Sequence, residues 1–369
     1  MPHPYDQNPW NIPRLHGGPY GGAQMAPVLL STRIPIVGLN TVRSVQDITQ
    51  LINPFKTSML LDEIRFQVSA VNAAGVVQDG AFTDLTGVLH VQLDMGRTPL
   101  TKGFVPVWAL GKQLDALLET SLVSAISNSR RFVTWRLPKP LFVPPGEFVI
   151  PQFKLRGDLF NPLAAVPAAG VNADVRVTYF GRSLPSDYPW PKNLHVPYVA
   201  AWSAPVLSSG DVAITNYEVE STEADLVNSL NEPLRLQRFL GRLMTQVPND
   251  SFSGVSAPGD TIDVGSQFLL VRMGGGTGGI AVRDEVPFHH LFSAIDKAWT
   301  VGALLPPKSF FQAFLRTGDL SALAGPRRWV PQIAMVGWRE VQLFAPDQLT
   351  RWPDVQNPTS GRPDVYVRR

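Results

Sequence analysis

The sequence contains no cysteine. Neither disulfides nor thiolate-bound metals therefore hold the chain together, which leaves packing and interfaces to do so. Charge is scarce as well: 17% of residues are charged, against roughly 25% in ordinary soluble chains, a deficit that suggests surface covered by neighbouring subunits. The net charge of +2 supplies no strong field for nucleic acid, and the only basic doublets are Arg130–Arg131, Arg327–Arg328 and Arg368–Arg369. No stretch approaches the roughly 18 unbroken apolar residues of a membrane-spanning helix. The start, MPHPYDQNPWNIPRLHGGPYGGAQ, lacks the basic end and apolar core of a secretory signal. Synthesis in the cytoplasm is the expectation.

Proline is abundant instead, with 34 among 369 residues, nearly twice the usual share of about 5%. A chain of this length suits two domains of roughly 180 residues, each able to bury its own core. Residues 1–26 are rich in Pro, Gly, Asn and His and read as an extended arm. Alternation then predicts half-buried strands: EIRFQVSA (63–70), VLHVQLDM (88–95), RFVTWRL (131–137) and VRVTYFG (175–181). Between them, Leu110, Leu114, Leu117, Leu118, Leu122 and Ile126 form one helical stripe. Residues 182–210 carry five prolines and read as an extended connector containing the domain boundary. Further strand signals follow, at 211–220, 235–244, 266–273, 299–305 and 332–338, with a short helix predicted over 286–298.

One stretch occurs twice. LFVPPGEFVIPQFKLRGDL (141–159) and ALLPPKSFFQAFLRTGDL (303–320) share Pro144–Pro145 with Pro306–Pro307, a spaced pair of phenylalanines, and Gly157–Asp158–Leu159 with Gly318–Asp319–Leu320. Each follows a Trp-containing strand (Trp135; Trp299) and precedes a strand ending near a glycine (Gly181; Gly337). Upstream, LINP (51–54) matches LNEP (230–233). Ordered recurrence of this kind indicates an internal duplication. It also bears on Arg156–Gly157–Asp158, an adhesion-like tripeptide. The second copy has Thr317 in place of arginine, so the shared element is a turn in which glycine tolerates positive φ and aspartate caps the backbone. Adhesion remains the competing reading.

Short strands, proline-marked corners and one loop helix per half predict an all-β chain of two tandem antiparallel β-sandwich (jelly-roll) domains. The expected boundaries are an arm at 1–26, a first jelly roll at 27–185, a proline-rich connector at 186–210, a second jelly roll at 211–345 and a tail at 346–369. On this duplicated layout, with its arm and connector, the chain resembles the double jelly-roll major capsid proteins of icosahedral, membrane-containing bacteriophages. The resemblance implies a homotrimer forming a pseudo-hexagonal capsomer of an icosahedral shell. Its partners would be neighbouring capsomers, penton and minor capsid proteins and an internal lipid membrane, without sequence-specific nucleic acid, and its location the virion capsid. By the same analogy, Arg362, Arg368 and Arg369 in the tail would touch anionic lipid or genome at roughly 1 kcal/mol per charge. A merely solvated tail is the alternative.

Catalytic, metal and cofactor chemistry finds little support. His289 and His290 are neighbours, about 100° apart on a helix, and cannot grip one metal as an i, i+4 pair does. GGGTGG (274–279) lacks the Lys-Ser/Thr of a phosphate loop and reads as a loop between strands. No G-x-S-x-G or H-E-x-x-H appears. Asp62, Glu63, Asp94, Asp158 and Asp319 are each explained by a strand face or turn, although two carboxylates meeting in a cleft would suit glycoside chemistry. Trp190, Trp202, Trp329 and Trp352 lie beside prolines, where they are candidate anchors between subunits. No catalytic, cofactor or metal residue is assigned. The alternative reading is a tandem β-sandwich enzyme or glycan-binding protein, amidase- or lectin-like.

Overall fold

The computed structural model describes residues 26–342 apart from 73, 77–84, 97, 112–129, 160–171, 186–190, 192, 206, 210–216, 246–263, 276–281, 293–297 and 319–326. The first half contains β1 (Ala26–Ile36), β2 (Val42–Ser44), β3 (Met59–Val71), β4 (Leu89–Met95), β5 (Thr98–Pro99), β6 (Val105–Pro106), β7 (Arg130–Val143), β8 (Val149–Leu155) and β9 (Asn172–Ser183). The second contains β10 (Asn193–Ser203), β11 (Leu207–Ser209), β12 (Glu218–Glu220), β13 (Leu226–Val227), β14 (Leu234–Thr245), β15 (Leu269–Gly274), β16 (Val282–Pro287), β17 (Ala298–Leu305), β18 (Phe310–Thr317) and β19 (Arg327–Gln342).

These strands form four sheets, ordered β1-β9-β3-β7, β2-β8-β4-β5, β10-β19-β14-β17 and β12-β18-β15-β16, with β6, β11 and β13 pairing at their margins. Lettering the main strands of each half B to I in chain order gives B-I-D-G and C-H-E-F twice. That is the jelly-roll order, so the fold is a double jelly roll. In each sandwich a phenylalanine of strand D meets one of strand H edge to face: Phe66 and Phe153 at 6.2 Å, Phe239 and Phe311 at 4.9 Å. Tyr179, buried so that its phenol pKa is pushed up, donates to Val149 O at 3.1 Å and ties the first half's two sheets together.

The two halves match residue by residue. Strand D bulges between Leu61 and Glu63 in the first half and between Leu236 and Arg238 in the second. Beside each bulge stands a glycine of strand I, Gly181 opposite Leu61 and Gly337 opposite Leu236. A Cβ there would lie 2.4 Å from Leu60 O or 2.6 Å from Arg235 O, so only glycine fits. Trp135 pairs with Ile64 and Trp299 with Phe239, the same place in both copies. The LINP and LNEP segments do not superpose in this register. The upstream counterparts are the buried asparagines Asn53 and Asn228. Each donates to the carbonyl four residues on, Thr57 O at 2.8 Å and Glu232 O at 3.0 Å, and accepts from the N–H two residues on, of Phe55 and of Leu230.

The connector expected over 186–210 also differs from what the fold contains. Residues 193–203 are β10, strand B of the second roll, paired with β19 over its whole length. Pro197 is tolerated because β10 is an edge strand, where a missing N–H costs no ladder bond. The edge strand β1 carries Pro27 and Pro35 on the same principle; the alternation then turns the backbone groups of Leu29, Ser31 and Arg33 to the free side. Of the helix predicted over 286–298, Phe288–Leu291 is helical among the described residues, after β16 ends at Pro287. The stripe at 112–126 lies outside the described residues. None of the described helices is long and apolar enough to cross a membrane.

Replacing Gly181 or Gly337 by alanine forces a backbone carbonyl aside and should cost about 1–3 kcal/mol each. Urea denaturation of the two variants would check this, and equal losses would confirm that the two bulges do the same job.

Candidate functional site

Two surfaces stand out. The first is the junction between the rolls, built on the outward face of β10-β19-β14-β17. Val196, Leu240, Met244, Val330, Ala334 and Val336 leave their own sandwich and join the hydrophobic core of the first half. Residues 329–337 of β19 are buried without interruption, because both faces of the strand are covered. At the centre lies Gln332, 0% exposed. Its Oε1 accepts from Trp108 Nε1 at 2.6 Å, while its Nε2 donates to Gly87 O at 2.9 Å and Ser203 Oγ at 3.0 Å. Gly87 is required, since a Cβ would meet Met244 Sδ at 2.4 Å.

Around it, Arg242 donates to Thr86 Oγ1 at 3.0 Å. Strand β10 adds backbone bonds: Val199 N–H to Leu100 O at 3.1 Å and Lys102 N–H to Val199 O at 2.7 Å. Arg339, its side chain 5% exposed, bonds Glu232 at 2.9 Å and reaches Pro99 O at 3.4 Å. Burial lowers the Arg339 pKa, and Glu232 opposes that shift.

Lys139 of β7, His195 of β10 and Trp338 of β19 close one end of the junction. Lys139 Nζ stands 3.4 Å from both ring nitrogens of His195 and 4.7 Å from the Trp338 ring centroid. Arg235 lies 5.2 Å from that same centroid, and Glu340 approaches His195 at 3.9 Å. Burial holds the His195 pKa below the usual imidazole value; Lys139 and, less strongly, Arg235 reinforce the shift against Glu340. Beside this end a cleft of about 780 Å³ lies between Trp135 and Leu137 on one side and Arg235, Arg238 and Gly302 on the other. Among the described residues its lining holds arginines but no carboxylate, histidine, hydroxyl or amine, and so no acid–base pair. Among the described residues no group of three or more His, Cys, Asp or Glu is placed to hold a metal ion.

The second surface is the outward face of β1-β9-β3-β7, and it is polar. Arg33 pairs with Asp174 at 2.9 Å, Arg136 with Glu63 at 3.1 Å and Arg182 with Asp62 at 3.0 Å, while Arg65 bonds Glu63 and stacks 4.2 Å from the Phe180 ring centroid. Leu29 is 62% exposed on its margin.

The residues singled out from the sequence are turn residues. Pro144–Pro145 lie between β7 and β8, and Pro306–Pro307 between β17 and β18. Both turns close with the same bond, Glu147 N–H to Pro144 O at 3.1 Å and Ser309 N–H to Pro306 O at 3.3 Å. Each has positive φ at its third position, Gly146 in one and Lys308 in the other. Gly157 and Asp158 form a 3-10 turn with Leu159 one residue after β8, and Gly318 follows β18. The Gly318 N–H bonds Phe268 O as the Arg156 N–H bonds Val88 O, so Gly318 holds the place of Arg156 and the two Gly-Asp-Leu triplets are offset by one residue in the superposed halves. Positive φ is not what these glycines supply, for neither has it. A Cβ at Gly157 would lie 2.8 Å from the Asn40 side chain, which accepts the Gly157 N–H and would have to shift. Asp319, Arg362, Arg368 and Arg369 lie outside the described residues, as do Trp190 and Trp352. Trp202 and Trp329 are not surface anchors but belong to the second roll's core. Sequence reading missed Gln332, Trp108 and the paired asparagines; a lone polar residue inside the apolar run VPQIAMV was the only signal for the first.

No protein-family model and no curated protein matches the chain. Similar solved structures include the major capsid protein P2 from bacteriophage PM2, at 9% identity over 84% of this chain and 97% of that one, TM-score 0.36. The Faustovirus major capsid protein is 9% identical over 88% and 92%, TM-score 0.34. The mavirus major capsid protein is 8% identical over 89% and 93%, TM-score 0.34. The assignment to a double jelly roll rests on this chain's own strand order.

Gln332→Leu strands the Trp108 N–H and the Gly87 carbonyl inside the junction and should destabilise the protein by about 2–4 kcal/mol, readable by urea denaturation. A second test uses pH. Because the folded pKa of His195 lies below the ordinary value of 6.5, the unfolded chain takes up the proton first as pH falls. The histidine's contribution is thus present above pH 6.5 and lost below it. Tm measured between about pH 7.5 and 5 should fall less for His195→Gln than for the unaltered protein.

Proposed function

We propose that the protein is a major capsid subunit, three copies of which close into a pseudo-hexagonal capsomer of an icosahedral shell. The observation that carries this reading is the fusion of two jelly rolls of identical strand order in one chain, locked by an apolar face. A chain that presents the same unit twice at a fixed angle offers its first roll to a neighbour's second, and such a head-to-tail contact forms a ring when the rotation closes. Three chains then supply six similar units. Neighbouring capsomers, penton and minor capsid proteins and an internal membrane complete the proposed setting, with the chain made in the host cytoplasm and ending in the virion capsid. The segments 1–26 and 346–369 would serve as assembly arms, Arg362, Arg368 and Arg369 facing anionic lipid or genome. The half-buried turn at Arg156–Gly157 supports a structural role for that tripeptide over adhesion. The low charge content is explained as well, since much of the surface is covered once assembled.

Light scattering after size exclusion, followed by electron microscopy, tests the proposal. A particle of three chains that forms hexagonal profiles is expected, and a protein that stays monomeric at every concentration and salt level would refute it.

A further inference from the structure

The duplication relates the two surfaces described above. Superposing the rolls on their bulges and glycines places Arg176 at the position of Gln332, Gln67 at that of Arg242 and Arg65 at that of Leu240. On the edge strands, Leu29 takes the position of Val199, each two residues after an edge proline, Pro27 or Pro197. In the second roll these four positions make the junction. In the first roll the same positions face solvent: Leu29, Arg65 and Arg176 are exposed and Gln67 is partly so. Arg33 and Arg176 stand directly opposite each other, a like-charge pairing that weakens an isolated sheet.

The receiving surface is duplicated too. Within the chain, Gln332 and Arg242 dock on Thr86 and Gly87, just before strand E of the first roll. There Val88 O accepts from Arg156 N–H at 3.1 Å, as Phe268 O accepts from Gly318 N–H at 2.7 Å in the second roll. Gln267 therefore holds the place of Gly87 and Ser266 that of Thr86. Gln267 is exposed, and Asp284 is exposed on the adjacent β16. Charge agrees with the pairing. Residues 27–185 carry 15 basic and 11 acidic side chains, a net +4, whereas 186–345 carry 12 and 15, a net −3.

From these observations we infer that the outward face of β1-β9-β3-β7 binds the second roll of another copy of this chain, repeating between molecules the contact that joins the rolls within one. Arg176 lies against the neighbour's Gln267 region, and the free backbone groups of Leu29 bond the neighbour as those of Val199 bond residues 100–102. The contact differs from its internal template in being polar and charge-complementary, so each subunit stays soluble before it assembles. This inference rests on the head-to-tail reading proposed above and specifies which faces meet.

The absence of cysteine allows a clean test. Arg176→Cys and Gln267→Cys are made in separate chains, mixed and oxidised under mild conditions; both positions are exposed, so the substitutions leave the cores intact. A disulfide-linked dimer in the mixture, absent from either variant alone, is the expected result. Crosslinked dimers of Arg176→Cys alone would show the face meeting itself and would overturn the inference. So would a mixture that does not crosslink while light scattering still reports three-chain particles, a result that leaves the capsomer reading standing. Unaltered protein that remains monomeric would remove that reading itself. Independently, Arg176→Glu should weaken association at least about tenfold and Asp284→Arg in the same chain restore it; association of Arg176→Glu equal to the unaltered protein would also overturn the inference.

Discussion

The rest of the structure depends on one sheet being buried on both sides. The order β10-β19-β14-β17 has its own sandwich on one face and the first roll on the other, and this double burial packs two similar units against each other. It explains why the second half reads as apolar runs, VPYVAAW and WVPQIAMVGW, where the first half alternates. It also explains where polarity is spent inside the protein. Gln332 sits in the middle of the apolar face with its amide fully engaged across the junction. Such a group contributes less net stability than it costs when misplaced, so it favours one docking geometry over sliding alternatives.

The contrast between the two copies of this face is instructive. Both descend from one pattern of strands, bulges and glycines, yet one has Leu240, Gln332 and Ala334 where the other has Arg65, Arg176 and Thr178. The duplicated backbone is kept and the side chains have diverged according to what covers them. Glycine is kept at 181 and 337 because its reason is backbone proximity, which does not depend on the partner.

Much of this was legible in the sequence and some was not. The duplication showed through Pro144 and Pro306, and through Trp135 and Trp299, because turns and strand-centre aromatics keep their type. It misled at LINP and LNEP, where a shared leucine and proline suggested a register that the buried Asn53 and Asn228 do not share. The proline count was right as a sign of corners and wrong as a sign of a connector. Proline at a sheet edge loses nothing, and no local pattern distinguishes an edge strand from a loop. The junction was invisible for a deeper reason: a residue such as Gln332 has meaning only through Trp108 and Gly87, more than two hundred positions away in the chain.

Among the described residues no strand pairs with the outer margin of β1, which Pro27 and Pro35 bracket. An extended foreign segment that tried to add itself there would find donors only at Leu29, Ser31 and Arg33, too short a row for an independent strand. Uncontrolled fibre growth through exposed ladders is thereby blocked at the margin where a sheet is most open to it. The fold thus leaves an open sheet edge with too few consecutive donors to seed a ladder with another chain.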